Sequence, residues 1–164
     1  MPQMRAIAVT GRGLLAAVAL FTFALRPAAA DFGAGLEAYD AGDFETVLAE
    51  WRPLAEAGDL EAQVALAGLY LEGAGVAADP AAAARWYRRA AERGDAVAQL
   101  NLGELYSRGL GVERNLVEAY LWLSLAAAQG RDWPGTRRRE IARLMSRAEV
   151  AEAERRVEAW RPGE

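Results

Sequence analysis

The chain contains no His and no Cys, so its candidate chemistry rests on acids, arginines, tryptophans and glycine loops. Missing His removes the commonest general base and metal ligand. Missing Cys removes thiolate catalysis and most zinc sites. The acids have another use: Asp43, Asp59, Asp79 and Asp95 each stand where a helix pattern begins, which suits an N-cap. Gly73-x-Gly75 and Gly109-x-Gly111 lack the Lys and the preceding strand of a phosphate loop. Trp86 and Trp122 recur at one spacing, as packing residues do. Arg137-Arg138-Arg139 is either an anion patch or a solvated helix end, and the second reading is preferred. The residues therefore predict no catalytic group, no metal site and no cofactor.

What must position these side chains is a repeat. Asp59 to Gly94 returns 36 residues later as Asp95 to Gly130, with 14 positions identical. Ala62-Gln63 returns as Ala98-Gln99. Leu66, Leu69 and Tyr70 return as Leu102, Leu105 and Tyr106. Gly73-x-Gly75-Val76 returns as Gly109-x-Gly111-Val112. Ala83, Trp86, Ala90 and Ala91 return as Ala119, Trp122, Ala126 and Ala127. A period of this size points to stacked helix pairs.

Each repeat reads as two helices. Asp59 caps the first, the glycines supply left-handed backbone at its end, and Asp79-Pro80 starts the second at N-cap and N1. Asn115 and Glu118 resemble a capping box for the equivalent helix. Residues 32–58 look like a shorter first repeat, with a turn at Gly42-Asp43 and Pro53 expected to kink or end its second helix. Gly58, Gly94 and Gly130 mark helix stops. After Gly130 the period ends. Arg131 to Pro134 reads as a connection, Thr136 or Arg137 to Met145 as an Arg-rich helix. Ser146 and Glu149 form a capping box that opens a last helix to about Trp160. The apolar face of that helix (Val150, Ala153, Val157, Trp160) is expected to pack on the third repeat.

Residues 1–30 differ from the rest: Arg5, Arg12 and Arg26, no acid, an apolar run from Leu14 to Leu25, then Ala28-Ala29-Ala30. This predicts a secretory signal peptide cleaved before Asp31. The run is shorter than the roughly 20 residues a spanning helix needs. Without twin Arg or a lipid-bearing Cys, the general secretory route and no stable membrane anchor are expected. Beyond residue 30 stand 16 Arg and all 23 acids, a net charge of −7. That balance argues against non-specific nucleic-acid binding. The basic residues are all Arg, and with 38 Ala this reflects genomic composition.

The repeat also separates framework from candidate site. In helical arrays the first helix of each pair lines the inner surface. With Leu66, Leu69, Tyr70 and their counterparts facing the core, the other side holds Ala65, Gly68 and Glu72, then Asn101, Glu104 and Arg108. Ala34, Glu37 and Ala41 are the corresponding positions on the first helix. These vary between repeats where the core positions agree, so they are the candidate partner-binding residues.

The pattern Ala-Gln-x-x-Leu-x-x-Leu-Tyr-x-x-Gly-x-Gly-Val, followed by Ala-x-x-Trp and Ala-Ala-x-x-Gly, resembles the Sel1-like repeat, a relative of the tetratricopeptide repeat with a longer inter-helix loop. The match covers 59–130 and, in part, 32–58, where Tyr39 to Phe44 is closer to a tetratricopeptide turn. Leu144-Met145-Ser146, Glu149 and Ala153 resemble the tail of many bacterial members. The resemblance implies an all-α fold: a short right-handed α-solenoid of antiparallel helix pairs (repeats about 32–58, 59–94 and 95–130) with a helical cap over 131–164. It further implies a periplasmic or secreted adaptor that binds a protein or peptide partner in the bacterial envelope and is not an enzyme. Two alternatives come with the family: a cell-wall or β-lactam-directed hydrolase, and a peptidoglycan-binding module. The hydrolytic branch is rich in cysteine, which this chain lacks.

Overall fold

The computed structural model describes residues 30–130 and 132–163. The segment read as a signal peptide lies, except for Ala30, outside the described residues. Among the described residues there are eight α-helices and no strand. They are α1 (Phe32–Ala41), α2 (Phe44–Glu56), α3 (Leu60–Glu72), α4 (Pro80–Glu92), α5 (Ala96–Arg108), α6 (Leu116–Ala128), α7 (Asp132–Ala142) and α8 (Arg147–Ala159). From α1 to α7 each helix packs on the next, while α8 returns to α6. This is the α-solenoid expected of the repeat, with its last two helices both docked on α6.

Local chemistry sets the helix starts. Asp59, Asp79 and Asp95 accept backbone N–H bonds from Ala62, Ala82 and Ala98 at 2.8, 2.9 and 2.7 Å. Ser146 and Glu149 close a full capping box at α8. Asn115 caps α6 through the Glu118 N–H at 3.1 Å, but the box expected there stays half made. The Glu118 carboxylate instead accepts from Trp122 Nε1 at 3.0 Å and from Arg156 at 2.5 Å.

Two expectations are corrected. Pro53 does not end α2, which runs one further turn to Glu56. The carbonyl deprived of an N–H is that of Ala49, and both Ala49 and Pro53 are exposed, so water can serve it. Likewise α7 begins at Asp132 rather than Thr136 or Arg137. Pro134 then falls in its first turn, where the missing N–H has no intrahelical partner to lose.

The glycine loops do more than end α3 and α5. Gly73 and Gly109 hold φ of 75° and 69° at the C-caps, as the left-handed cap requires. The second glycine of each pair is packed against the preceding helix pair: a Cβ on Gly75 would overlap Phe44, and one on Gly111 would overlap the Pro80 backbone. Each loop is tied back by a backbone bond, Asp79 N–H to Tyr70 at 2.8 Å and Asn115 N–H to Tyr106 at 3.0 Å.

The core runs through the array. One apolar cluster joins α1, α2 and α3 around Val47, Trp51 and Leu66. A second joins α3 to α6 around Tyr87, Leu102 and Trp122 and takes Val157 and Trp160 from the carboxy-terminal region. Tyr70 and Trp86 pack against both. A third, of Ala119, Leu123 and Ile141, seats α7. Full burial of a Leu such as Leu66 or Leu102 contributes about 1.5–3 kcal/mol.

Candidate partner-binding surfaces

The first helices of the pairs bring some of the expected face residues together and separate others. Ala65 and Gly68 are half-buried and Glu72 is exposed; with Tyr39, Trp51 and Leu69 they line a cleft of about 160 Å³ between α1, α2 and α3. Its aromatic wall is ordered by stacking. Trp51 lies 5.1 Å from Phe32 and 6.0 Å from Tyr39, centroid to centroid, and its Nε1 donates to the Phe32 carbonyl at 3.1 Å. Tyr39 also meets Phe44 edge-on at 5.7 Å. Tyr39 remains 40% exposed, unusual for an aromatic ring built into such a stack. Below the cleft, burial first and Glu72 second push the Tyr87 phenol up to about 12, so it is a neutral hydroxyl at physiological pH.

Glu37 and Ala41 are exposed on α1 and Ala34 is half-buried; none of the three lines that cleft. On α5 the expected face is largely occupied by the chain itself. The Asn101 amide donates to the Val97 carbonyl at 2.9 Å. Glu104 pairs with Arg137 at 2.7 Å, with the two side chains only 22% and 30% exposed. Arg137 also reaches Glu140 at 2.9 Å, and its hydrogen bonds to the two acids hold it still more firmly protonated. Arg108 is exposed.

The arginine triplet is a solvated end only at exposed Arg139. Arg137 is bound as described, Arg138 lies over the Tyr120 ring at 5.6 Å, and Arg139 donates to the Thr136 hydroxyl at 2.9 Å. The first two contacts tie α7 to α5 and α6, while Arg139 bonds within its own helix. The contacts of Arg137 and Arg138 were not legible beforehand because they join a region without the repeat to the third repeat.

Sequence reasoning also passed over Tyr39 and Trp51 as cleft residues, since apolar spacing marks them only as core. It found the Ala-Gln pairs but gave the glutamines no role. Gln63 and Gln99 are buried, and their amides donate to the carbonyls of Ala55 and Ala91 at 3.0 and 3.2 Å, joining each helix pair to the one before.

Among the described residues no helix is long and apolar enough to cross a membrane. No group of three or more His, Cys, Asp or Glu among them could hold a metal ion.

The Sel1 repeat family pattern matches residues 60–95 and 96–130. No curated protein matches the chain. Among solved structures, a protective antigen present in uropathogenic Escherichia coli strains, displaying an SLR fold, is 32% identical, with a TM-score of 0.71 over 77% of this chain and 28% of its own. A Sel1 repeat protein from Oxalobacter formigenes is 33% identical, with a TM-score of 0.62 over 66% of this chain and 44% of its own. The chain thus spans less than half the length of either. Proteins with Sel1 repeats generally mediate protein–protein interaction. The recurring Ala-Gln, Gly-x-Gly and Trp positions, seated in stacked helix pairs, make this chain a Sel1-like repeat protein.

Proposed function

We propose that the protein is an exported, non-enzymatic adaptor of the bacterial cell envelope that holds a peptide segment of a protein partner on its first helices. The observation that carries this is the cleft of Ala65, Gly68 and Glu72 beside the Tyr39–Trp51 stack. Small residues there let a chain approach closely, and an ordered aromatic wall offers apolar area at little entropic cost. The binding face is centred on α1 and α3, with Glu37 and Arg108 at its rim. Asn101 and Glu104 shape its far end through their own internal bonds. The basic, apolar amino-terminal segment supports export, as does a solved relative that is a protective antigen.

In-cell photocrosslinking from position 37, at the rim of that face, tests the surface. The expected result is a discrete crosslinked partner that disappears in Ala65→Arg and Glu72→Arg while the thermal melt is retained. Undiminished crosslinking in both variants would remove the assignment. Export is tested separately by fractionation and amino-terminal sequencing, with Asp31 as the expected first residue.

A further inference from the structure

A cleft opens where the second helix of one pair meets the glycine loop of the next, and it opens twice. The first, about 630 Å³, follows α2 to Gly75. The other, about 480 Å³, follows α4 to Gly111 and Val112. Leu48, Arg52 and Gly75 in the first stand 36 residues before Ala84, Arg88 and Gly111 in the second. The architecture repeats, but the charge does not. Asp43 and Glu45 face Arg52 in the first cleft, whereas Arg85, Arg88 and Arg89 outnumber Glu92 in the second.

Two of these arginines are laid against aromatic rings. The Arg89 guanidinium lies 4.7 Å over Trp86, and that of Arg88 lies 5.6 Å from the Tyr106 ring while donating to its hydroxyl. Arg85 is 4.0 Å from Asp79, its side chain 69% exposed. Among the described residues no carboxylate forms an ion pair with Arg88 or Arg89, although acids outnumber basic residues 23 to 19 in the sequence. A guanidinium resting on a ring is held in orientation while its N–H edge stays available, and that planar fork matches a carboxylate. Between the arginines the wall is small and apolar, formed by Ala81, Ala84 and Val112.

We propose that the cleft between α4 and the Gly111 loop binds an acidic peptide segment. Its carboxylates meet Arg85, Arg88 and Arg89, and an apolar side chain rests on Ala84 and Val112. The site is separate from the cleft on α1 and α3 and does not depend on it. An acidic peptide fits better than a nucleic acid, because the surrounding chain is acidic and the arginines form one short cluster rather than a track along a backbone.

The probe is an end-blocked, fluorescein-labelled peptide of alternating Glu and Leu, measured by anisotropy against its Gln-for-Glu counterpart. The Glu peptide is expected to bind, to weaken with added salt, and to lose about tenfold or more in affinity in Arg88→Gln/Arg89→Gln. Arg85→Glu is expected to weaken it in the same direction with the melt unchanged. That exposed position keeps the test decisive should the double variant fold poorly. Equal binding of the Gln peptide, or full affinity in Arg85→Glu, overturns the proposal. Displacement by inorganic phosphate as effectively as by unlabelled peptide would make this a bare anion site and also overturns it. Glu72→Arg, which blocks the other cleft, is expected to leave affinity unchanged, so the two surfaces fail or stand separately.

Discussion

The junction between the first and second helix pairs and the junction between the second and third share one glutamine and complete it differently. Gln63 and Gln99 each donate to a last-turn carbonyl of the helix before, Ala55 and Ala91. At the later junction Gln99 Oε1 also accepts from Gln129 at 2.9 Å, and Gln129 donates to the Gly94 carbonyl at 3.0 Å. Position 129 corresponds to 93 one repeat earlier, where the chain has Arg. Arg93 reproduces the bond to the glycine carbonyl, here Gly58, but Gln63 Oε1 is left buried without a hydrogen-bond partner among the described residues. The backbone linkage is thus kept at both junctions and the buried polar linkage at one. Buried polar groups without partners are costly, so the earlier junction is the weaker of the two.

The largest expected effects come from the glycines that let the pairs approach. Gly75 and Gly111 have φ of 71° and 67°, so an Ala at either carries the left-handed penalty of about 1–2 kcal/mol. Steric overlap adds about 1–3 kcal/mol more. At Gly111 the obstacle is the Pro80 backbone, while at Gly75 it is the Phe44 side chain and its Cα. Gly111→Ala should therefore lower stability more than Gly75→Ala in denaturant unfolding. Gly42→Ala, with φ of 74° and nothing within 4 Å of its Cβ, should lose only the conformational part. Equal losses at all three would show that the close approach contributes nothing.

Next come the glutamines themselves. Gln99→Leu removes one bond from the Ala91 carbonyl, which keeps the Gly94 N–H, and also one bond of Gln129. Gln63→Leu takes one bond from the Ala55 carbonyl, which keeps the Gly58 N–H, but also removes the unpaired oxygen. The expected losses are about 1–2 kcal/mol for Gln99→Leu and nearer about 0.5 kcal/mol for Gln63→Leu. The reverse order in urea unfolding would contradict the difference between the junctions. Arg93→Gln sharpens it from the other side. It offers Gln63 Oε1 the donor that Gln129 gives Gln99, and should stabilise by about 0.5–1.5 kcal/mol, with slower exchange of the amides at the start of α3. A destabilised Arg93→Gln would mean that the guanidinium contributes more than its bond to Gly58.

What was legible beforehand follows from how local each feature is. The Asp caps, the glycine stops and the α8 capping box depend on residues three or four positions apart, so spacing alone reveals them. The period marked Gln63 and Gln99 as recurring without giving them a role, and comparing positions 93 and 129 would have located the unequal junctions. It could not show that Gly75 and Gly111 touch Phe44 and Pro80, because that distance is set by how far the pairs close. Glu104 was read as a free face residue because its partner, Arg137, lies in the aperiodic cap, where no second copy exists for comparison. Of the expected face, Ala65, Gly68 and Glu72 come together, and the aromatic wall that completes their cleft comes from the divergent first repeat.

The smallest expected difference between repeats lies at their caps. Asp43 accepts from both the N–H and the hydroxyl of Thr46, at 3.2 and 2.7 Å; the counterpart of Thr46 in the second repeat is Ala82, which offers Asp79 its N–H alone. The Thr46 hydroxyl first, and its N–H second, hold the Asp43 carboxyl below its ordinary 3.8. A carboxyl whose folded value is depressed stabilises the fold fully above its unfolded value, and that contribution disappears as pH falls through the folded one. Asp43 is fully exposed, so the effect on global stability is slight and the direct readout is the carboxyl itself. In an NMR titration of the folded protein the Asp43 midpoint should lie below 3.8 and move upward towards it in Thr46→Ala. Thr46→Ser, which keeps the hydroxyl, should leave it low. A midpoint that stays depressed in Thr46→Ala would mean that the backbone N–H groups alone hold the charge, and the first-repeat cap would then differ from the second in sequence only.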